Sequence, residues 1–274
     1  MRSCTRRGNL KNQPKMTEDE IILTHILKCT RADLILKKQK LDPSQERQYK
    51  EYRSRRAKGE PLQYILGFWD FYGLEFNVSP GVLIPRPETE GLVDAALKNF
   101  KGVDILDLGT GSGNIAITMA KLLPYVQVTT VDISLDAIEV AINNAQVHGV
   151  ESRVEFVHAD MRDFLLAQEK RYDMVIANPP YIPSVQMAQL PLDVQQEPTI
   201  ALDGGEDGLD FYRLIIKTSP YLITRGGYLI MEFGDGQAEA IKDLAGAQPL
   251  FSHREIFKDL AGKDRVILLS TRSV

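Results

Sequence analysis

Cysteine is scarce in this chain: Cys4 and Cys29 are the two in 274 residues. That is too few for a disulfide framework or a Cys-rich zinc site, so a reducing, cytoplasmic setting and no metal are expected. No window approaches the run of about 18 apolar residues that a membrane-spanning helix needs. Internal repeats and low-complexity tracts are missing as well, which excludes solenoids and fibrous arrays. Apolar residues make up 43% and charged residues 26%, the balance of an ordinary globular chain. At roughly 150 residues per domain, the length suggests one large domain or two unequal ones.

Negative charge is thin at the start. Residues 1–60 carry 16 Lys and Arg against 8 Asp and Glu, whereas residues 61–274 carry 17 against 29. The net charge of −4 therefore hides a basic head of +8 on an acidic body of −12. Residues 1–15 hold five basic side chains, no acidic ones and no apolar core of a secretory signal. A short Arg-rich targeting peptide, a disordered tail and a start codon placed upstream of Met16 are the open readings, with a tail over residues 1–16 as the working expectation.

Thr17 and Glu20 have capping-box spacing ahead of Ile22, Leu23, Ile26 and Leu27, which predicts a helix. Thr30 with Asp33 opens a second, and Asp42-Pro43 caps a third that runs to about Ala57 and stops near Gly59. Leu62–Tyr72 and Leu74–Val78, split by Gly73, read as a β-hairpin. Beyond Pro80-Gly81, strands are predicted at Val103–Leu108, Val126–Val131, Val154–His158, Met174–Ala177 and Gly227–Phe233. Helices fall at Asn114–Leu123 and Ser134–Ala145, and Leu250–Phe257 with Arg265–Ser270 reads as a closing antiparallel pair. Alternating strands and helices imply a parallel, doubly wound α/β sheet.

Asp107-Leu108-Gly109-Thr110-Gly111-Ser112-Gly113 lies between the first such strand and its helix. A Gly-rich turn there lets backbone approach a ligand at the carboxyl end of a strand. The spacing is G-x-G-x-G, not G-x-G-x-x-G, and Asp107 would repel a pyrophosphate but suits the cationic amino group of a methionyl moiety. Asp132 ends the next strand, where an acid can accept two ribose hydroxyls, and Asp160 after the third is placed to meet an adenine amino group. A tight turn alone would explain the glycines; the three acids at successive strand ends favour a cofactor. The constellation resembles the S-adenosyl-L-methionine site of the Rossmann-like methyltransferases.

Asn178-Pro179-Pro180-Tyr181 follows the strand Met174–Ala177. A proline turn would suffice to explain it in isolation. After a cofactor loop it fits a harder task, because an amide or aromatic amine nitrogen has a delocalised lone pair and attacks poorly. The Asn178 side-chain oxygen and the Pro179 carbonyl can accept its two N–H bonds, the prolines stiffen the loop, and Tyr181 offers a ring to the planar acceptor. Such a motif is common to adenine and glutamine amino-methyltransferases, so it does not choose the substrate.

Gln63-Tyr64-Ile65-Leu66-Gly67, Ile84-Pro85-Arg86-Pro87-Glu88-Thr89-Glu90, Glu197-Pro198, Ala201-Leu202-Asp203-Gly204-Gly205 and Asp207-Gly208-Leu209 do. In their order, from Thr17 to the carboxyl terminus, they resemble the HemK/PrmC family, which methylates the glutamine amide of the Gly-Gly-Gln motif in peptide chain release factors. The helix that the family usually carries before Thr17 is not legible here. The resemblance implies a Rossmann-like class I methyltransferase sheet with a small N-terminal helical domain and a β-hairpin linker: residues 17–60 dock substrate, 61–84 form the linker and 85–274 the catalytic domain. It implies that Asp107, Gly109, Thr110, Gly111, Ser112, Gly113, Asp132, Asp160, Met161 and Asn178 hold the cofactor. Asn178, Pro179, Pro180 and Tyr181 hold the glutamine, with Asn178, Pro179 and Tyr181 catalytic. Arg86 and Glu88 line the entrance or form a structural ion pair. Release factors are the expected partner, with a monomeric state, no membrane and no direct nucleic-acid contact. An adenine amino-methyltransferase, a ribosomal-protein glutamine methyltransferase and a non-catalytic cofactor-binding regulator are the competing readings. His25 with Cys29, one helical turn apart, and His158 are read as ordinary surface or helix-face residues.

Overall fold

The computed structural model describes residues 16–37 and 40–271, so the expected tail lies outside the described residues but for Met16. Two compact units divide between Leu66 and Gly67.

The first unit holds α1 (Glu18–Leu27), α2 (Arg31–Lys37), α3 (Pro43–Ala57) and α4 (Leu62–Leu66). The expected capping box opens α1: Glu20 N–H donates to Thr17 Oγ1 at 3.2 Å and Thr17 N–H to the Glu20 carboxylate at 2.8 Å. Asp42 and Gln45 do the same for α3, with Pro43 at the first helical position. α1 buries Ile22 and Ile26, whereas α3 buries no residue fully. Ion pairs join them instead, Arg53 to Asp19 at 2.7 Å and Arg56 to Glu18 at 2.9 Å.

Leu62–Leu66 corrects an expectation. The run predicted as the start of a strand forms a helical turn, with Tyr64 and Ile65 N–H both donating to the Pro61 carbonyl at 3.1 Å. Pro61 presets the backbone for that turn, and burial of Leu62, Tyr64, Ile65 and Leu66 outweighs their mixed strand preference.

In the second unit, β1 (Phe68–Phe71) and β2 (Leu74–Asn77) form the expected hairpin in register Phe71↔Leu74. Its two-residue turn has positive φ at both Tyr72 and Gly73, the hand that matches strand twist. Then come α5 (Glu90–Asn99), β3 (Asp104–Leu108), α6 (Asn114–Leu122), β4 (Gln127–Asp132), α7 (Leu135–His148), β5 (Val154–His158), α8 (Met161–Ala167), β6 (Tyr172–Ala177), α9 (Asp210–Thr218), β7 (Ile223–Glu232), α10 (Ala238–Ala247), β8 (Phe251–Lys258) and β9 (Asp264–Thr271). α5, α8, α9 and α10 lie where the sequence reading places no element.

The seven strands are ordered β5-β4-β3-β6-β7-β9-β8, and β9 alone runs against its neighbours. Strand residues alternate between two cores. Ile105, Val128, Met174 and Ile230 pack with Leu92, Ile117 and Met119 on one face; Leu106, Val131, Val175 and Met231 pack with Tyr212, Ile215 and Ile241 on the other. The register sets Leu108 beside Val131 and Ala177, and Asp132 beside His158. Four carboxyl ends are thereby level, and residues 109–113, 132, 160 and 178 leave the sheet along one edge. That edge, where strand order reverses about β3, is where open α/β sheets bind ligands.

Candidate active site

A cleft of about 960 Å³, its open mouth included, runs along this edge. Gly109, Thr110, Gly111, Asp132, Asp160, Met161, Asn178 and Pro180 line it, as the sequence anticipates. Ile115, Val131, Ile133, Ala137 and Phe211 give it apolar walls, and the Arg162 guanidinium lies 5.0 Å over the Phe211 ring. At Gly111, φ is +52° and an added Cβ would meet no atom within 4 Å, so it would stand in open space. The turn is held by Asp132, whose carboxylate accepts from Gly111 N–H at 3.0 Å and Ser134 N–H at 2.9 Å.

Three of the anticipated cofactor residues do not line the cleft. Gly113 opens α6, where a Cβ would press within 2.6 Å of Ile117 Cδ1, so its glycine serves packing. Ser112 is buried and its carbonyl accepts from Asn144 Nδ2 at 2.8 Å. Asp107 is fully buried behind the turn, with Thr130 Oγ1 donating to Oδ2 at 2.9 Å and nothing on Oδ1. Burial raises its carboxyl to about 7; the Thr130 hydroxyl opposes that rise and the nearby Asp132 charge adds to it.

Asn178 stands at a junction. It lines both the cleft and a second cavity formed with Arg86, Glu88, Pro179, Tyr181, Glu232 and Arg265. Its Nδ2 donates to Thr89 Oγ1 at 3.2 Å, while Oδ1 is buried without a partner. Burial pushes the Tyr181 hydroxyl up to about 12, so the ring stays neutral. Arg86 lines both cavities, and its ion pair is with Glu197, which corrects the pairing with Glu88 weighed from the sequence. Among the described residues seven buried side-chain polar atoms lack a partner, and five of them belong to Asp107, Thr110, Ser112, Asn178 and Glu232. Of these, Thr110, Asn178 and Glu232 line the two cavities, and buried groups are rarely left unsatisfied, so the cavities are shaped for something polar.

Residues 13–67 match the family described as PrmC N-terminal domain, and residues 99–246 match Methyltransferase domain. The release factor glutamine methyltransferase of Moorella thermoacetica is 40% identical over 259 residues, 93% of this chain and 91% of that one. That of Geobacter sulfurreducens is 44% identical over 227 residues, 82% and 78% of the two chains. The chain belongs to the release factor glutamine methyltransferase (PrmC) family. A methyltransferase structure from Pyrococcus furiosus, 16% identical, superposes with a TM-score of 0.55 over 81% of this chain and 99% of its own, a likeness of fold. The expected Rossmann-like sheet and family assignment both hold.

Within this PrmC-family site, several residues have contacts that the sequence reading does not assign. Glu197, buried, accepts Ile84 N–H at 3.0 Å and ties the segment before α5 to the loop after β6. Asn144 exchanges hydrogen bonds with the Asn77 backbone at 2.8 and 3.0 Å as well as holding Ser112, so it links hairpin to turn. Its signal was present: an amide in the apolar stripe of Ala137, Ile138, Ala141 and Ala145. Thr89 carried none as a partner of Asn178, because the two lie 89 residues apart in sequence.

Proposed function

We propose that the protein transfers a methyl group from S-adenosyl-L-methionine to the side-chain amide nitrogen of the glutamine in the Gly-Gly-Gln motif of peptide chain release factors. The observation that carries this reading is the buried, unpaired Asn178 Oδ1 at the junction of the two cavities. An acceptor in that state calls for a donor from outside the chain, and a primary amide brings two N–H bonds.

The cleft suits the cofactor: an acid at the β4 end, open space above Gly111, apolar walls and unpaired polar atoms at the turn. Bound there, S-adenosyl-L-methionine supplies a methyl group activated by a neighbouring positive charge. Asp132 would hold ribose hydroxyls with the lone pairs that Gly111 and Ser134 leave free. Gly109, Thr110 and Gly111 let the backbone close on the ligand, and Asp160 and Met161 border the adenine. Asp107, with Ser112 and Gly113 behind the turn, offers a carboxylate whose charge acts on a cation across low-dielectric protein.

Asn178 Oδ1 and the Pro179 carbonyl accept the two N–H bonds of the glutamine amide, drawing electron density onto nitrogen as it attacks. Fixed acceptors on a proline-stiffened loop need little reorganisation, and Pro180 and Tyr181 confine the amide plane. The alkylated nitrogen is acidic and sheds one proton, so no strong base is required. The enzyme is read as a cytoplasmic monomer that touches release factor and not nucleic acid, with residues 17–60 docking a second surface of the substrate. Transfer of labelled methyl to purified release factor, and none to bare DNA or RNA, is the expected result. Nuclease-sensitive transfer to nucleic acid would overturn the substrate class.

A further inference from the structure

Gln237 caps the start of α10 and belongs to none of the groups that the methyl transfer uses. Its side chain is nevertheless turned to the acceptor loop. Oε1 accepts Gly234 N–H at 2.9 Å, while Nε2 donates to the Tyr181 carbonyl at 3.0 Å and the Gly208 carbonyl at 3.3 Å. We infer that Gln237 is a positioning residue for the reaction: by fixing the Tyr181 carbonyl, it holds the Tyr181 ring in place against the glutamine amide. The inference rests on the proposed role of Tyr181 at the acceptor and deepens it.

Pro179 and Pro180 each have φ fixed by their own ring, so the loop is stiff up to that point. At Tyr181, which lines the second cavity beside Asn178, the covalent restraint ends. The hydrogen bond from Gln237 falls at this position and settles the peptide plane that follows the ring. The ring itself lies against bare backbone: a Cβ added at Gly234 would stand 3.0 Å from Tyr181 Cδ2 and 2.9 Å from Gln237 Oε1. Residues 202–208 close on the same loop. Ile182 N–H donates to the Leu202 carbonyl at 2.9 Å, and Gly204 N–H to the Ile182 carbonyl at 2.8 Å. A Cβ at Gly208 would fall 2.4 Å from the Tyr181 carbonyl oxygen and 2.8 Å from Gln237 Nε2.

Gln237 thus ties together the turn after β7, the acceptor loop and residues 202–208. A primary amide has two N–H bonds to give, and here two carbonyls receive them while its oxygen takes an N–H. A carboxylate would set lone pairs against both carbonyls; an apolar chain would give up all three hydrogen bonds. Once released, the Tyr181 peptide can rotate and the ring tilts with it, so the acceptor nitrogen spends less time in line with the methyl group. Misalignment at the reacting centre lowers kcat and leaves docking of the release factor as it was.

The test is a double-mutant cycle in the full chain, read as kcat with release factor as substrate and cofactor saturating. Gln237→Met, which keeps length and volume, should lower kcat about tenfold, the worth of one hydrogen bond. Gln237→Glu, which keeps the acceptor for Gly234 N–H, should lower it at least as much, and either variant can run the cycle. KM for release factor and cofactor affinity should stay within about twofold of wild type. Tyr181→Ala should lower kcat further than either, and adding the Gln237 change to it should cost less than about twofold more, because Gln237 acts through the ring. Wild-type kcat in both Gln237 variants would overturn the inference. So would a full tenfold loss on top of Tyr181→Ala, or losses in KM and cofactor affinity as large as that in kcat, the mark of a merely structural part. Undiminished turnover in Tyr181→Ala removes the role of Tyr181 itself, and the inference with it.

Discussion

Asp132 accepts the backbone N–H of Gly111 at 3.0 Å, so the acid that ends β4 also holds the glycine turn that follows β3. Ligand contact and loop support thus fall on one side chain. Asp132→Ala should lower cofactor affinity by about 1.5–3 kcal/mol, the range for hydrogen bonds to a charged group. Asp132→Asn, which keeps one acceptor, should recover part of that. Titration calorimetry showing unchanged affinity in the alanine variant would remove Asp132 from the site. Gly111→Val should be worse, because a branched side chain resists a φ of +52° and fills the cleft.

Burial of Asp107 makes a prediction about stability. Its carboxyl rises from 3.8 to about 7 on folding, so the folded state holds a proton that the unfolded state has released. The fold is favoured below about pH 4, loses stability as pH climbs to about 7, and carries a constant penalty above that, on the order of 4 kcal/mol. Asp107→Asn should therefore raise the melting temperature of the ligand-free protein at pH 8 and have little effect at pH 4. A cationic ligand group nearby lowers the same carboxyl, so cofactor binding at pH 7 should release protons, measured by calorimetry in buffers of differing ionisation enthalpy. Equal proton release in Asp107→Asn would contradict this assignment.

At the acceptor site, Asn178→Ala should reduce turnover by about 100-fold or more, as for loss of one preorganised polar contact. Asn178→Asp adds negative charge beside a centre that is cationic before transfer and neutral after it. Ground state gains more than transition state, so cofactor affinity should rise while kcat falls. The carboxylate can be met by the Thr89 hydroxyl, which turns to donate, so the variant should remain folded. Undiminished turnover in either variant would defeat the proposed role.

The basic head supplies another prediction, shaped by its ion pairs. Arg55 and Arg56 are bound to Glu60 at 2.5 Å and Glu18 at 2.9 Å, so reversing their charge would disturb the unit itself. Lys28, Lys40, Arg47 and Lys58 are exposed. Reversing these four should raise KM for release factor about tenfold with cofactor affinity intact, and added salt should weaken wild-type docking as the screening length falls to about 8 Å. An unchanged KM would mean that the exposed basic charge is inert.

The strands and motifs of the catalytic unit were legible because they are local: apolar runs, a glycine turn, acids at strand ends. Leu62–Leu66 was not, since its strand-like composition carries no record of the surroundings that bury it. The Thr89–Asn178 contact was illegible for a different reason. It joins the segment before α5 to the residue that follows β6, 89 positions further along the chain. Asp107 was legible as an acid at the turn, but not as a group buried behind it.

Asn178 is proposed to aim one glutamine amide at the methyl donor. Mass-spectrometric mapping of release factor, after reaction with wild type and with Asn178→Ala, tests it most directly. A single methyl on the side-chain nitrogen of the Gly-Gly-Gln glutamine is expected with wild type, and little or none with the variant. Methyl on any other residue, or on that glutamine at equal rate with both proteins, would contradict it.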